Sequence, residues 1–213
     1  MLSPHAARPT ALVFGNRVAP YHPLGGVDAA FRAIFGAEFH LRFSEDTAEL
    51  ATGLGGVRLV IGYADTWQTA PADAPAAALV EFVERGGGLL VLHNGVCWAK
   101  HPRLLPLIGA AFAGHPEQAD LLYRLQGAHP IAAGQPGFTL REEPYRYDFA
   151  PEFSAEIFFH YEHEGRSWPA GWANRHGDGR IVALQPGHRA TAFQHPTYAA
   201  LCQRAARWCA RMG

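Results

Sequence analysis

Charge is scarce in this sequence, and so is cysteine. Only 17% of its 213 residues are Asp, Glu, Lys or Arg, and the formal net charge is −1. No run of like charge forms a tail, and no basic face stands out for a nucleic acid or an anionic membrane. No apolar stretch approaches the length that spans a bilayer. The opening residues, MLSPHAARPT, lack the apolar centre of a secretory signal. Three cysteines, Cys97, Cys202 and Cys209, include no CxxC pair. That argues against a disulfide framework and against a thiolate zinc site, and it reads as reduced thiols in a cytoplasmic protein. HExxH and His-x-His are also missing, so any metal ligands must converge from distant segments. No repeat, low-complexity segment or linker divides the chain, and residues 1–213 are read as a single domain.

Hydrophobic residues make up 48% of the chain, ample for a packed core. They fall in short apolar runs separated by helical patterns. Residues 11–16, 38–43, 57–64 and 89–92 read as strands one to four. Val27–Phe35, closed by Gly36, and the segment DAPAAALVEFVERGG read as helices, the latter capped by Asp73 or the turn after it, with Pro75 in its first turn. This alternation implies an α/β fold with a mostly parallel sheet covered on both faces. After residue 100 the pattern changes. HPRLLPLIGAAF reads as helix, DLLYRLQ and GFTLRE as strands. AEIFFHYEHEG and the segment 168–188 read as an antiparallel pair turning through HGDG. A helix over 196–212 follows, with Cys202, Trp208 and Cys209 on its apolar stripe.

Histidine is abundant: twelve in 213 residues, more than twice a usual frequency of about one in forty-five. Several adjoin Gly or Pro, where loops and strand ends gather binding residues. About half need no other explanation than surface position. His93 is different. In GGGLLVLHNGVCWAK it stands where strand four ends, the place of the nucleophile in many α/β enzymes. Ligands of open parallel sheets bind beyond the carboxyl ends of the strands. Gly15-Asn16, Gly62-Tyr63 and His93-Asn94 should gather at that edge.

Four motifs in order extend this picture: VERGGGLLVLHNG (83–95), LIGAAFAGHPEQ (107–118), AHPIAAGQPGFTLREEPYRY (128–147) and the stretch from Trp168 to Ala210. In this ordered set the chain resembles the ThuA-like (trehalose utilisation) family. The resemblance implies a flavodoxin-like domain related to class I glutamine amidotransferases, with helices on both faces and an antiparallel extension in the C-terminal half. In those relatives the strand-four turn carries a catalytic cysteine. Here His93-Asn94 occupies it and Cys97 comes four residues late, so glutamine hydrolysis is not expected. Two departures from the family pattern stand out. Its acidic-aromatic element is Glu142-Glu143-Pro144-Tyr145 here, and its N-terminal histidine motif is YHPLGGVD, with Asp28 as the nearest acid.

The candidate site residues follow. His93 with Glu142 or Glu143 makes an acid/base pair. His93, His115 and His188 are candidate ligands for a divalent metal, zinc first. His22, Asn94, Trp98, His129, Tyr145 and Arg189 are candidate substrate contacts, with Trp98 as an aromatic wall for a sugar ring. Plainer alternatives stand beside these. The two glutamates could pair with Arg141 or Arg146 at the surface. Arg189 could simply be exposed, and Trp168, Trp172 and Trp208 are better placed in the core. The expected function is an isomerase, lyase or hydrolase acting on a small-molecule carbohydrate, a keto-sugar or glycoside. A non-catalytic sugar-binding or assembly module is the alternative, and a hydrolase using Cys97 a third. A homodimer is the commonest assembly to expect.

Overall fold

A computed structural model describes residues 7–154 and 156–212. The first six residues of the segment read as lacking a secretory signal, and Ala155, taken as the start of a strand, lie outside the described residues. No helix among those described is long and apolar enough to cross a membrane.

Every side chain of β4 (Gly88–Leu92) is buried, because the strand lies mid-sheet with a core on each face. Leu90 and Leu92 join one apolar cluster with Phe31, Phe35 and Leu201. Leu89 and Val91 join the other with Leu79, Val83 and Trp98. This is the two-residue period of a strand covered on both sides. Its neighbours are β1 (Thr10–Phe14), β2 (His40–Ser44), β3 (Val57–Gly62) and β11 (Gly179–Leu184). These pair in parallel in the order β2-β1-β3-β4-β11. The sheet continues antiparallel through β10 (Arg166–His176), β9 (Glu156–His163), β6 (Ala119–Leu125) and β7 (Phe138–Glu142). The parallel α/β core with its antiparallel extension therefore stands as the sequence implied.

Helix α1 (Asp28–Phe35) buries Phe31, Ile34 and Phe35, one helical stripe, on the face it shares with α6 (Pro196–Cys209). On the other face α2 (Thr47–Thr52) packs on α3 (Asp73–Glu84). Neither α2 nor α5 (Ala190–Gln194) was legible in the sequence; both are under two turns long and carry little periodicity.

Three local expectations are corrected. Asp73 is not the cap of α3: Ala72 holds that position, and the Asp73 carboxylate accepts from His101 Nε2 at 2.9 Å instead. The helix read over 101–112 is confined to α4 (Leu105–Ile108). Gly109, at φ +95°, ends it, and β5 (Ala110–Gly114) leaves to pair with β8 (Arg146–Phe149), a strand the sequence reading did not see. The antiparallel pair is a three-strand meander: β9 turns into β10 at Glu164-Gly165, and β10 into β11 at Gly177-Asp178.

Candidate metal centre at the carboxyl edge

In the parallel set the chain steps from β1 outward to β2, then crosses back to β3 on the other side. The loops after β1 and β3 therefore part, and they leave a crevice at the strand ends. His22 follows β1, Asp65 follows β3, His93 follows β4 and His188 follows β11. Glu143 and Tyr145 come from the end of edge strand β7, which is tied to the same place: Glu142 accepts from Gly187 N at 3.1 Å and from His188 N at 3.2 Å.

His93 leaves its strand at φ +47°, a left-handed conformation that costs a residue with a Cβ about 1–2 kcal/mol. The turn aims the imidazole into the crevice, as an elbow would aim a nucleophile. Gly187 makes room for it. Its φ is +146°, and a Cβ there would stand 2.9 Å from that of His93.

The hydrogen bonds fix the tautomers. His93 Nδ1 lies 2.7 Å from the Gln185 carbonyl, which can only accept, so Nδ1 carries the proton. His22 Nδ1 likewise donates to Asp65 Oδ1 at 3.0 Å. Both Nε2 atoms are left as lone pairs, yet they face each other at 3.1 Å. Either they share a cation, a proton or a metal ion, or each accepts from a neighbour, His93 Nε2 from the Tyr145 hydroxyl at 3.0 Å and His22 Nε2 from His188 Nδ1. His188 Nδ1 lies 3.2 Å from His22 Nε2 and 3.1 Å from Glu143 Oε1. Glu143 Oε2 lies 3.4 Å from His93 Nε2, and it is buried with no hydrogen-bond partner among the described residues.

One ligand atom from each of His22, His93, Glu143 and His188 falls within 4.8 Å of the others. Zinc–ligand bonds of about 2.0–2.1 Å put tetrahedral ligand atoms about 3.3 Å apart. The short separations above bracket that spacing, so this group could hold a divalent cation. Outer partners are in place as well: Asp65 orients His22, the Gln185 carbonyl orients His93, and Glu142 holds the backbone of His188.

The electrostatics fit the same use. Burial pushes the His93 imidazole down to about 4, so it is neutral near pH 7. Burial also opposes charge on Glu143, but the neighbouring imidazoles of His188, His22 and His93 outweigh it and hold the carboxyl well below the usual range. For His22 burial is likewise outweighed, by Glu143 and Asp65, and its basicity rises. Glu142 is the opposite case: burial carries it from 4.5 up to about 7.

That shift has a consequence for stability. Between pH about 4.5 and 7 the folded protein keeps a proton that the unfolded chain has released. Stability therefore falls as pH rises through this window, by about 3 kcal/mol for a shift of this size. In chelator-treated protein, Glu142→Gln should abolish that part of the slope. Urea unfolding of both proteins at pH 5, 6 and 7 measures it, and parallel curves would refute the assignment.

The expected residues distribute as follows. His22, read as a substrate contact, stands among the ligand atoms. His115, read as a ligand, stands outside them. Its Nε2 is 3.7 Å from Glu143 Oε1, its Nδ1 donates to the Pro116 carbonyl at 2.8 Å, and its ring stacks on Tyr145 at the rim. The Tyr145 hydroxyl lies 3.0 Å from His93 Nε2. Glu142 acts through the Gly187-His188 backbone, and is a positioning residue. Neither glutamate makes the surface pair with Arg141 or Arg146; both are buried.

Trp98 is not a wall of the site. The strand-four turn continues as a 3-10 helix, His93–Lys100, and carries the ring under the sheet, where it is 1% exposed. Asn94 is equally buried, and its amide finds no hydrogen-bond partner among the described residues. His129 lies at the other end of the sheet, held between Phe158 and Trp208. Arg189 lines a cleft beside His188. Cys97 is buried, and burial raises its thiol to about 12, which is poor placement for a nucleophile.

Two positioning residues escaped the sequence reading. Gln185 accepts from Tyr123 at 2.6 Å and donates to the Glu143 carbonyl at 2.5 Å. It lay in view in the motif QPGH. Asp65, in GYAD, carried only the signal of following a strand-end glycine, whereas the acid sought for His22 was Asp28.

A family profile described as ThuA, trehalose utilisation, matches residues 11–209. A search of curated proteins finds no match. Among solved structures, a ThuA-like protein from Parabacteroides merdae superposes with TM-score 0.80 at 17% identity, over 96% of this chain and 90% of that one. One from Bacteroides uniformis gives 0.78 at 19%, over 98% and 94%. A cold-adapted β-galactosidase from Rahnella sp. R3 gives 0.70 at 13%, over 96% of this chain but only 31% of that one. At these identities the likeness is one of fold.

Proposed function

The chain belongs to the ThuA trehalose-utilisation family, and from that premise we propose that it is a metal-dependent enzyme of sugar metabolism. His22, His93, Glu143 and His188 hold one divalent ion, zinc first, which matches imidazole and carboxylate donors. The observation that carries this reading is the pair of Nε2 lone pairs 3.1 Å apart, each fixed by an acceptor on its Nδ1. A bound cation would polarise a carbonyl or hydroxyl oxygen of the sugar as a Lewis acid.

The proton work falls to the rim. His115 Nε2 is bare, because Nδ1 is committed to Pro116. It reaches solvent and stands beside the cluster, so it can take a proton from a carbon next to a sugar carbonyl and deliver it to a neighbouring carbon or departing oxygen. Tyr145 stacks between His115 and His93 and keeps both rings in register. Burial holds its phenol protonated, so it serves as a donor. The substrate class is a keto-sugar or glycoside, and the reaction an isomerisation or elimination.

The test is elemental analysis of protein purified without a histidine tag, with His93→Ala and His188→Ala beside it. About one equivalent of zinc is expected in the wild type and a large loss in each variant. Wild-type protein that arrives metal-free and takes up no added zinc, manganese or nickel would refute the reading. Protein that keeps its metal and binds sugar, yet exchanges no carbon-bound proton of a keto-sugar with solvent deuterium, would favour a sugar-binding module.

A further inference from the structure

Arg180 opens β11, and His188 follows its far end. At the Arg180 end, away from the histidine cluster, five arginines gather near one indole. Arg175 and Arg180 stand directly opposite each other on β10 and β11. Their guanidinium carbons lie 5.5 and 5.0 Å from the centre of the Trp208 ring. Arg204, Arg207 and Trp208 share one face of α6, and Arg211 follows its end. Like charges opposed across a strand ladder are unfavourable. Burial, and after it the charges of Arg175 and Arg211, lower the Arg180 guanidinium below its ordinary value.

Part of this cluster has a plain use. Carbonyls at the carboxyl end of a helix attract cations, and Arg180 Nη1 donates to that of Trp208 at 3.1 Å. Arg204 donates to the Ala133 carbonyl at 2.6 Å beside the Gln135 amide, Arg207 pairs with Glu38 at 3.1 Å, and Arg211 donates to the Asp178 carbonyl. These bonds hold side chains in place but neutralise little charge. Among the described residues no carboxylate pairs with Arg175, Arg180 or Arg204, and Arg180 Nε is buried without an acceptor. Trp208 is also the wall between two clefts, which meet at Pro130. One, of about 210 Å³, is lined by Arg180, Arg204 and Arg207, and no carboxylate enters its lining. The other, of about 460 Å³, is lined by His129, Ser154, Glu156 and Arg175.

We propose that this end of the sheet binds a small phosphate monoester, with the phosphoryl group in the arginine-lined cleft and the organic part against Trp208 in the larger one. A phosphoryl group brings three strong acceptor oxygens and up to two charges. A carboxylate brings two oxygens and one charge. The richer anion suits guanidinium groups from β11 and α6, with Arg175 of β10 adding its charge from across the indole. The smaller cleft lies below the about 300–1,000 Å³ of an organic-ligand site, and the larger falls within it. Free phosphate shares the chemistry but would use only the smaller cleft. The site requires no metal and stands or falls apart from the function proposed above.

The experiment adds inorganic phosphate or phenyl phosphate to the protein as purified, at constant ionic strength held with chloride. Calorimetry reads affinity, and the indole N–H signals in NMR read location, with Trp208→Leu identifying the Trp208 signal. That signal should shift to saturation with both probes, and phenyl phosphate should bind about threefold to tenfold more tightly. Arg180→Gln and Arg204→Gln should each weaken both probes about tenfold or more. Arg180→Lys, which keeps the charge but loses the planar fork, should recover part of that loss. Trp208→Leu should remove the preference for phenyl phosphate. Absence of a saturable shift, or affinities unchanged in both arginine variants, would overturn the proposal. So would binding lost in His93→Ala instead, which would place the anion at the histidine cluster. Equal affinity for the two probes, unaltered by Trp208→Leu, would leave free phosphate as the ligand and overturn the monoester. A single-stranded oligonucleotide that binds where neither probe does would make the surface one for nucleic acid and overturn it too.

Discussion

Glu143→Gln is expected to weaken zinc binding by a hundredfold or more. Loss of an outer partner of a metal ligand typically costs 10–100-fold. Glu143 is itself in the group that could hold the ion, and it is that group's one anion. The glutamine is close to isosteric and keeps the backbone bond from Gln185, so the fold should survive while the charge is lost. Competition against a chelator of known affinity measures the change. His115→Ala is the informative contrast. It removes no ligand, so zinc should remain at one equivalent, while turnover drops by about 10²–10⁴, the usual worth of a general acid or base. If His115→Ala empties the site and Glu143→Gln does not, the roles given to these two residues are reversed.

Trp98→Ala should be the most destabilising substitution near the site, by about 3–5 kcal/mol, the range for removing a large buried aromatic. The ring is 1% exposed and packs at 5.9 Å from Phe14. It occupies the space a side chain at Gly62 would need. The surrounding strands β1, β3 and β4 are sheet interior and can collapse little into the void. Denaturant melts should show the loss directly. Sugar affinity of the protein that remains folded should match wild type, because the ring has no face on the cleft. A stable variant with impaired sugar binding would restore Trp98 as a wall of the site.

The comparison of these two residues shows how far the sequence can be read. Strand ends can be found from apolar runs, and the carboxyl-edge rule then points to His93 and, through the loop after strand one, to His22; His188 is reached only through its Gly-His motif, because the strand before it reads as half of an antiparallel pair. What lies beyond a strand end is decided by the turn. At residues 93–100 the chain winds into a 3-10 helix rather than an open loop, and that rotation sends Trp98 under the sheet. His115 and His22 were indistinguishable in sequence, both being histidines in Gly/Pro loops. Which loop reaches the centre depends on how edge strand β7 returns to β11, a property of the whole sheet. His129 failed for the same reason in reverse: its loop leaves an antiparallel strand, for which the edge rule gives no direction. Asp65 was illegible because its partner is 43 residues away and a lone aspartate after a strand has no periodicity.

The donors of the centre come from four separate loops, and the outermost contact, between His22 and His188, joins residues 166 positions apart. That separation sets an order for assembly. While the chain is being made, three of the four donors have emerged by residue 143, but the crevice has no floor until β11 slots in beside β4. Until that pairing forms the four donors do not converge, so an ion held as proposed would bind only after the sheet has closed. Occupancy of such a centre would then report a closed sheet, and misfolded copies would stay empty.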